Sequence, residues 1–214
     1  MTGLCVFSRK KKNFFADKSS KTLTLKDVLS YNNAMSEKVR EKTDKIRLFW
    51  RIVTTVACVL MLVFIFSNSL QTGEDSTAQS SAVVDTIQDV ASVVAPESSI
   101  ATATGEDYDK LHADVRVLAH FSEFMLLGAL FVWCWYSYTD KKIWLIAPAA
   151  GVVLTPMIDE LLQTLSSGRA AEWMDVAVDT LGGFVGGIFA ICTLIAGIYM
   201  YRKHQQKAKK AIAQ

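Results

Sequence analysis

The sequence predicts an all-α fold: a polytopic membrane protein built as a four-transmembrane-helix bundle, with both termini in the cytoplasm. Three observations predict it. Four apolar runs, at about 48–66, 115–138, 143–165 and 176–200, reach or approach the roughly 20 residues that a helix needs to cross a hydrocarbon core. The basic residues gather on one side of those runs. Ionisable residues recur inside the last three runs, where charge is costly unless it faces a protein interior or a water-filled cavity. The 51% hydrophobic content of the 214 residues would suit a soluble domain equally well, so the distribution decides the class.

Residues 1–47 carry 12 of the 23 Lys and Arg residues, the turn at 139–142 adds Lys141 and Lys142, and five more follow Tyr201. The 67–114 loop holds nine acidic residues against one Lys, and the 166–173 turn holds Arg169 as its one basic residue. The positive-inside rule places the first group in the cytoplasm and the two acidic connections outside. The expected organisation is a basic N-terminal segment (1–47), a membrane domain (48–200, with the outer loop at 67–114) and a basic tail (201–214). No cleavable signal is expected, because the first apolar run follows a 47-residue polar segment. Cys5 has no hydrophobic stretch before it that would mark a lipoprotein anchor. The basic ends suit anionic lipid, and no nucleic-acid motif is present.

Each element has its own signal. Val28, Tyr31 and Met35 recur at helical spacing, so 25–45 is a helix candidate lying along the cytoplasmic surface or partly disordered. Arg51 enters the first run within its first turn and is expected to snorkel to the inner headgroups. That run ends at Phe66-Ser67-Asn68-Ser69. In the outer loop, Val83, Ile87, Val90 and Val94 share one helical face and Pro96 stops it, which predicts a short amphipathic helix. A new helix is expected near Asp107, running into the second span. The fourth run carries Gly182, Gly183, Gly186 and Gly187, whose small-xxx-small spacing admits a second helix, including that of a second copy in a homodimer through Gly182 and Gly186. Trp133, Trp135, Tyr136, Tyr138, Trp144, Tyr199 and Tyr201 form an aromatic belt at the cytoplasmic ends. Cys58, Cys134 and Cys192 fall in separate runs without CxxC spacing and read as small hydrophobes.

The polar positions converge in depth. His120 and Glu123 are three apart and share a face, roughly 5–12 Å below the outer end of the second span at 1.5 Å per residue. Asp159, Glu160 and Gln163 come shortly before the outer end of the third. Asp175 and Asp179 occupy the first two turns of the fourth, and Arg169 lies in the turn between. The candidate functional cluster is therefore His120, Glu123, Asp159, Glu160, Gln163, Arg169, Asp175 and Asp179. Five carboxylates at one depth need protonation, cationic partners such as His120, Arg116 and Arg169, or a bound cation. HxxE spacing alone does not specify a metal, and no resident metal or cofactor is expected. An Arg facing the outer headgroup layer suits a phosphate or pyrophosphate group, and an interhelical network that only locks the bundle is the competing structural reading. Ser67 and Ser69 lack a GxSxG context and read as helix-end residues.

At these residues the chain resembles the VanZ-like family of bacterial membrane proteins. The resemblance rests on Phe66-Ser67-Asn68-Ser69, then His120-Phe121-Ser122-Glu123-Phe124 with Leu127. It continues through Asp159-Glu160-Leu161-Leu162-Gln163, Gly168-Arg169, Asp175 and the Gly182/Gly186 region, and covers about 48–200. Two positions depart from the family pattern: Val117 stands where Lys is frequent, beside Arg116, and Asp179 stands where Asn is frequent. The resemblance implies a four-helix protein of the bacterial cytoplasmic membrane and a link to low-level resistance to teicoplanin-type glycopeptides, without a mechanism. The leading expectation is binding or alteration of an outer-leaflet anionic amphiphile: a membrane lipid, a lipid-linked wall precursor or a lipoglycopeptide. Two alternatives stand beside it. One is an enzyme acting on such a lipid with Asp159 or Glu123 as acid/base; the other is a non-catalytic structural or accessory membrane protein.

Overall fold

The computed structural model describes residues 25–139, 145–169 and 171–213. The basic stretch up to Thr24 with Cys5, the Lys141-Lys142 turn and Trp144 lie outside the described residues. Among the described residues five α-helices follow one another: α1 (Leu25–Ser69), α2 (Gly73–Val94), α3 (Glu106–Tyr138), α4 (Ile146–Gln163) and α5 (Trp173–Ala213). The chain divides into two units, Met1–Phe49 and Trp50–Gln214. In the first, the described residues are helical and mostly exposed, with an i,i+4 ion pair of 2.8 Å between Lys45 and Glu41.

Two boundaries differ from expectation. The 25–45 candidate and the first apolar run form one continuous helix, since neither Pro nor Gly interrupts residues 25–69. The tail likewise continues α5 instead of starting a new segment. The outer-loop helix extends further back than its apolar stripe, to Gly73. Thr72 caps it by accepting a hydrogen bond from the Asp75 amide, and Glu74 and Asp75 suit its positive end. It ends at Val94, just before Pro96.

Among the described residues three stretches are long and apolar enough to cross a membrane: Leu29–Ser69, Glu106–Tyr138 and Trp173–Ala208. Helix α4, the third expected span, does not stand with them. It has 18 residues, about 27 Å at the helical rise, and Asp159, Glu160 and Gln163 fall in its last five positions.

In the second unit each helix buries a narrow stripe and leaves large apolar side chains exposed around it, as lipid-facing helices do. On α1 the stripe is Thr54, Cys58, Ile65 and Ser69; on α4 it is Pro148, Val152, Thr155, Asp159 and Gln163. On α5 it runs from Asp179 through Gly182, Gly183, Gly186 and Gly187 to Ala190. Helices α3 and α5 form the most extensive pair, with α4 packed on both. The glycines explain the closeness of that pair. A Cβ at Gly186 would overlap the Met125 carbonyl, one at Gly182 the Phe121 carbonyl, and one at Gly128 the Gly183 carbonyl. The face expected to admit a neighbouring helix is thus occupied by α3 of the same chain. Two apolar clusters complete the packing. Ile65, Phe124 and Leu127 join α1 to α3, and Ala129, Val132 and Ala190 join α3 to α5. Midway along α1, the Arg51 Nε donates to the Ser137 carbonyl at 2.9 Å, and the guanidinium lies 5.1 Å from the Tyr138 ring centroid. Arg51 is thus held against α3.

Candidate functional site

The buried stripes of α1, α4 and α5 end in polar residues, and those ends meet. Asp159 is fully buried. Its carboxylate lies within hydrogen-bonding reach of the buried Ser69 hydroxyl, and it accepts from Gln163 Nε2 at 3.0 Å. The Ser69 hydroxyl also lies 3.0 Å from the Ile65 carbonyl and has one proton to give. Because Asp159 and Gln163 are four apart on α4, the Gln amide reaches its carboxylate without leaving the helix surface.

The turn after α4 organises the surroundings through backbone groups. Gly168 sits at φ +79°, which favours glycine. Ser166 Oγ donates to the Ser69 carbonyl at 3.1 Å, and Arg169 Nη1 donates to the Asn68 and Ser69 carbonyls at 3.3 and 3.5 Å. Arg169 therefore covers the open carbonyl end of α1, where a cation is favoured. The Gly73 amide, starting α2, donates to the Ser167 carbonyl at 3.1 Å. Glu160 accepts from the Glu172 backbone amide and so holds the approach to α5.

A second polar group lies between α3 and α5. His120 Nδ1 is 3.7 Å from Asp179 Oδ2, with Asp179 2% exposed. Among the described residues, Asp179 Oδ1 and His120 Nδ1 are buried without hydrogen-bond partners. One candidate ligand atom from each of His120, Asp159 and Asp179 falls within 4.8 Å of the other two. Glu123 meets the Asn68 side chain.

Two clefts border this centre. The larger, about 860 Å³, is lined by the α2 start from Thr72 to Ala78, by Arg116 and Gln163, by 167–169, and by Glu172 and Asp175. The smaller, about 190 Å³, is lined by His120, Val117, Val178 and Asp179 and shares Arg116, Glu172 and Asp175 with the first. Arg169 lies in the turn, outside the spans. Partial burial first, and then neighbouring Arg116, hold its guanidinium below its ordinary value, while Asp159, Glu160 and Asp175 act the other way. It stays charged, because even a lowered guanidinium titrates far above neutral pH. The site is thus one of crowded charge of both signs.

The structure brings seven of the eight candidate residues into these networks and clefts, while Glu123 reaches them through Asn68, next to Ser69. Sequence reasoning treats Ser69 as a helix-end residue and gives no part to Ser166, Thr72 or Glu172. Ser69 had a signal: it continues the Thr54, Cys58, Ile65 stripe at helical spacing. Ser166 and Glu172 act through tertiary contacts with main-chain groups, which leave no pattern. Arg116, noted as a pairing partner for the acids, lines both clefts and joins Arg169 in the larger one.

A search of curated proteins and a search of solved structures found no match to the chain. The family model described as VanZ/LLP1 matches residues 54–196, a stretch that contains every residue of the polar centre, and the chain belongs to that family.

Proposed function

We propose that this VanZ/LLP1-family membrane protein crosses a bacterial cytoplasmic membrane four times with both termini inside, and that its larger cleft binds the anionic headgroup of an outer-leaflet amphiphile. One observation carries the reading. Arg116 of α3 and Arg169 of the turn after α4 line the same 860 Å³ cleft, where their like charges disfavour one another. A phosphate between them relieves that repulsion, and the guanidinium fork matches phosphate oxygens. The Thr72-capped start of α2 adds a helix N-terminus to the same wall. A lipid-linked wall precursor, a phospholipid and a lipoglycopeptide all carry suitable anionic groups. Protection against teicoplanin would follow if the occupied cleft alters how the drug meets its lipid-linked target.

The test is native mass spectrometry of the purified protein, with titration of a polyprenyl phosphate and of a zwitterionic lipid as control. Wild type is expected to retain the phosphate lipid, and Arg169→Gln with Arg116→Gln to lose at least tenfold in affinity. Equal binding by wild type and the double variant would overturn the reading. In a sensitive Gram-positive host, protection by wild type and not by Asp159→Ala at matched membrane levels would tie the centre to resistance. The Ser69–Asp159–Gln163 network favours a second reading, an accessory protein whose polar centre only locks the bundle. On that reading substitution of Arg116 and Arg169 leaves lipid binding unchanged.

A further inference from the structure

We infer that His120, Asp159 and Asp179 form a binding site for one divalent transition-metal cation, Zn²⁺ in the first instance. The three residues come from α3, α4 and α5, and their candidate ligand atoms already lie within 4.8 Å of one another. Metal–ligand bonds of about 2.0–2.2 Å put neighbouring ligand atoms roughly 3–3.5 Å apart around one ion. The His120–Asp179 distance of 3.7 Å is close to that spacing, so the site closes on an ion with small side-chain movements.

An independent observation points to a ligand. Asp179 is 2% exposed and its Oδ1 has no hydrogen-bond partner among the described residues, while His120 Nδ1 beside it is likewise buried and unsatisfied. Leaving such atoms unsatisfied is costly away from water, and a cation satisfies both together. Asp159 has the support that metal ligands usually receive. Ser69 and Gln163 donate to its two carboxylate oxygens, fixing its orientation while each oxygen keeps a lone pair.

The donor set selects the ion. One imidazole and two carboxylates suit Zn²⁺ or Mn²⁺ better than Mg²⁺, which prefers an all-oxygen octahedron. Three protein ligands leave a position for water. The 190 Å³ cleft lined by His120 and Asp179 supplies room for it and an entry path, since a water occupies about 30 Å³. The proposal stands apart from headgroup binding: the cation contacts His120, Asp159 and Asp179, whereas the headgroup contacts Arg116 and Arg169.

The test uses full-length protein in detergent, stripped with a chelator and dialysed against Zn²⁺, Mn²⁺ or Mg²⁺. Wild type is expected to take up one Zn²⁺ per chain, to melt at a higher temperature with it, and to bind Mg²⁺ far more weakly. Asp179→Asn and His120→Gln, both near-isosteric, are expected to weaken Zn²⁺ binding by at least about tenfold. If those variants do not fold, a chain carrying His112→Gln and His204→Gln keeps His120 as the last of the three histidines. Cobalt bound to it must then show an imidazole ligand in its electron-nuclear spectrum. Absence of Zn²⁺ uptake by wild type, undiminished uptake by both folded variants, or a cobalt spectrum without imidazole would each overturn the proposal.

Discussion

The α3–α5 pair has two halves built on opposite chemistry. Toward Tyr138 the contacts are apolar and small: Ala129, Val132 and Ala190, with Trp133, Ile191 and Leu194 packed round them. Toward Glu106 the same pair carries His120 and Asp179. Between them lie the glycine contacts, Gly182 on Phe121 and Gly186 on Met125. Lipid is as apolar as a helix side chain, so close van der Waals packing must hold the pair where burial from water cannot. The glycines supply that packing, and they also fix how near His120 stands to Asp179. The apolar half thus acts as the ruler for the polar half.

The most severe way to break this comparison is Gly186→Leu. Its side chain must enter the Met125 backbone, so separation of α3 from α5 is expected at more than about 3 kcal/mol. Loss of folded protein in detergent-resistance or thermal-melt assays checks it; near-normal stability would show that the glycines are not the ruler.

Next is Asp159→Ala, which leaves Ser69 and Gln163 without their shared acceptor. A cost of about 1–3 kcal/mol is expected from the buried Gln163 donor losing its partner, since the Ser69 hydroxyl can still give its proton to the Ile65 carbonyl, with Asp159→Asn recovering part of it. Equal melting of all three proteins would contradict the buried network.

A smaller effect, about 1 kcal/mol, is expected for Val132→Ala in the apolar half. The transfer from water that normally adds to a cavity's cost is missing in a bilayer. A loss as large as that of Asp159→Ala would invert the comparison. Smallest is Thr193→Val, which removes the 3.2 Å bond from Trp133 Nε1; interhelical hydrogen bonds in membranes average about 0.6 kcal/mol, and equilibrium unfolding in mixed micelles can resolve the difference.

Much of this architecture was legible from residue patterns. The meeting of His120, Asp159 and Asp179 follows from counting along apolar runs, and the helix starting at Glu106 lies one residue from the expected Asp107. The closeness of α3 and α5 is written in the glycine spacing. The continuity of α1 was not legible, because a basic polar face and an apolar run read as different environments even when one helix carries both. The standing of α4 was not legible either. Its polar residues are buried against neighbours, and that information lies in the other helices. The backbone carbonyls of Asn68 and Ser69, which hold Ser166 and Arg169, are invisible to any argument from side-chain type.

The hydrogen bond from the Glu172 amide to Glu160 spans 12 positions and closes a ring of chain around the turn. The same turn holds the last carbonyls of α1 and the first amide of α2. Segments tied in this way open together or not at all, because releasing one bond returns little chain freedom while the others hold. Amide exchange at Gly73 and Glu172 should therefore proceed at one common opening free energy, making the end of α1, the start of α2 and the approach to α5 a single cooperative unit despite the hundred residues of sequence between its parts.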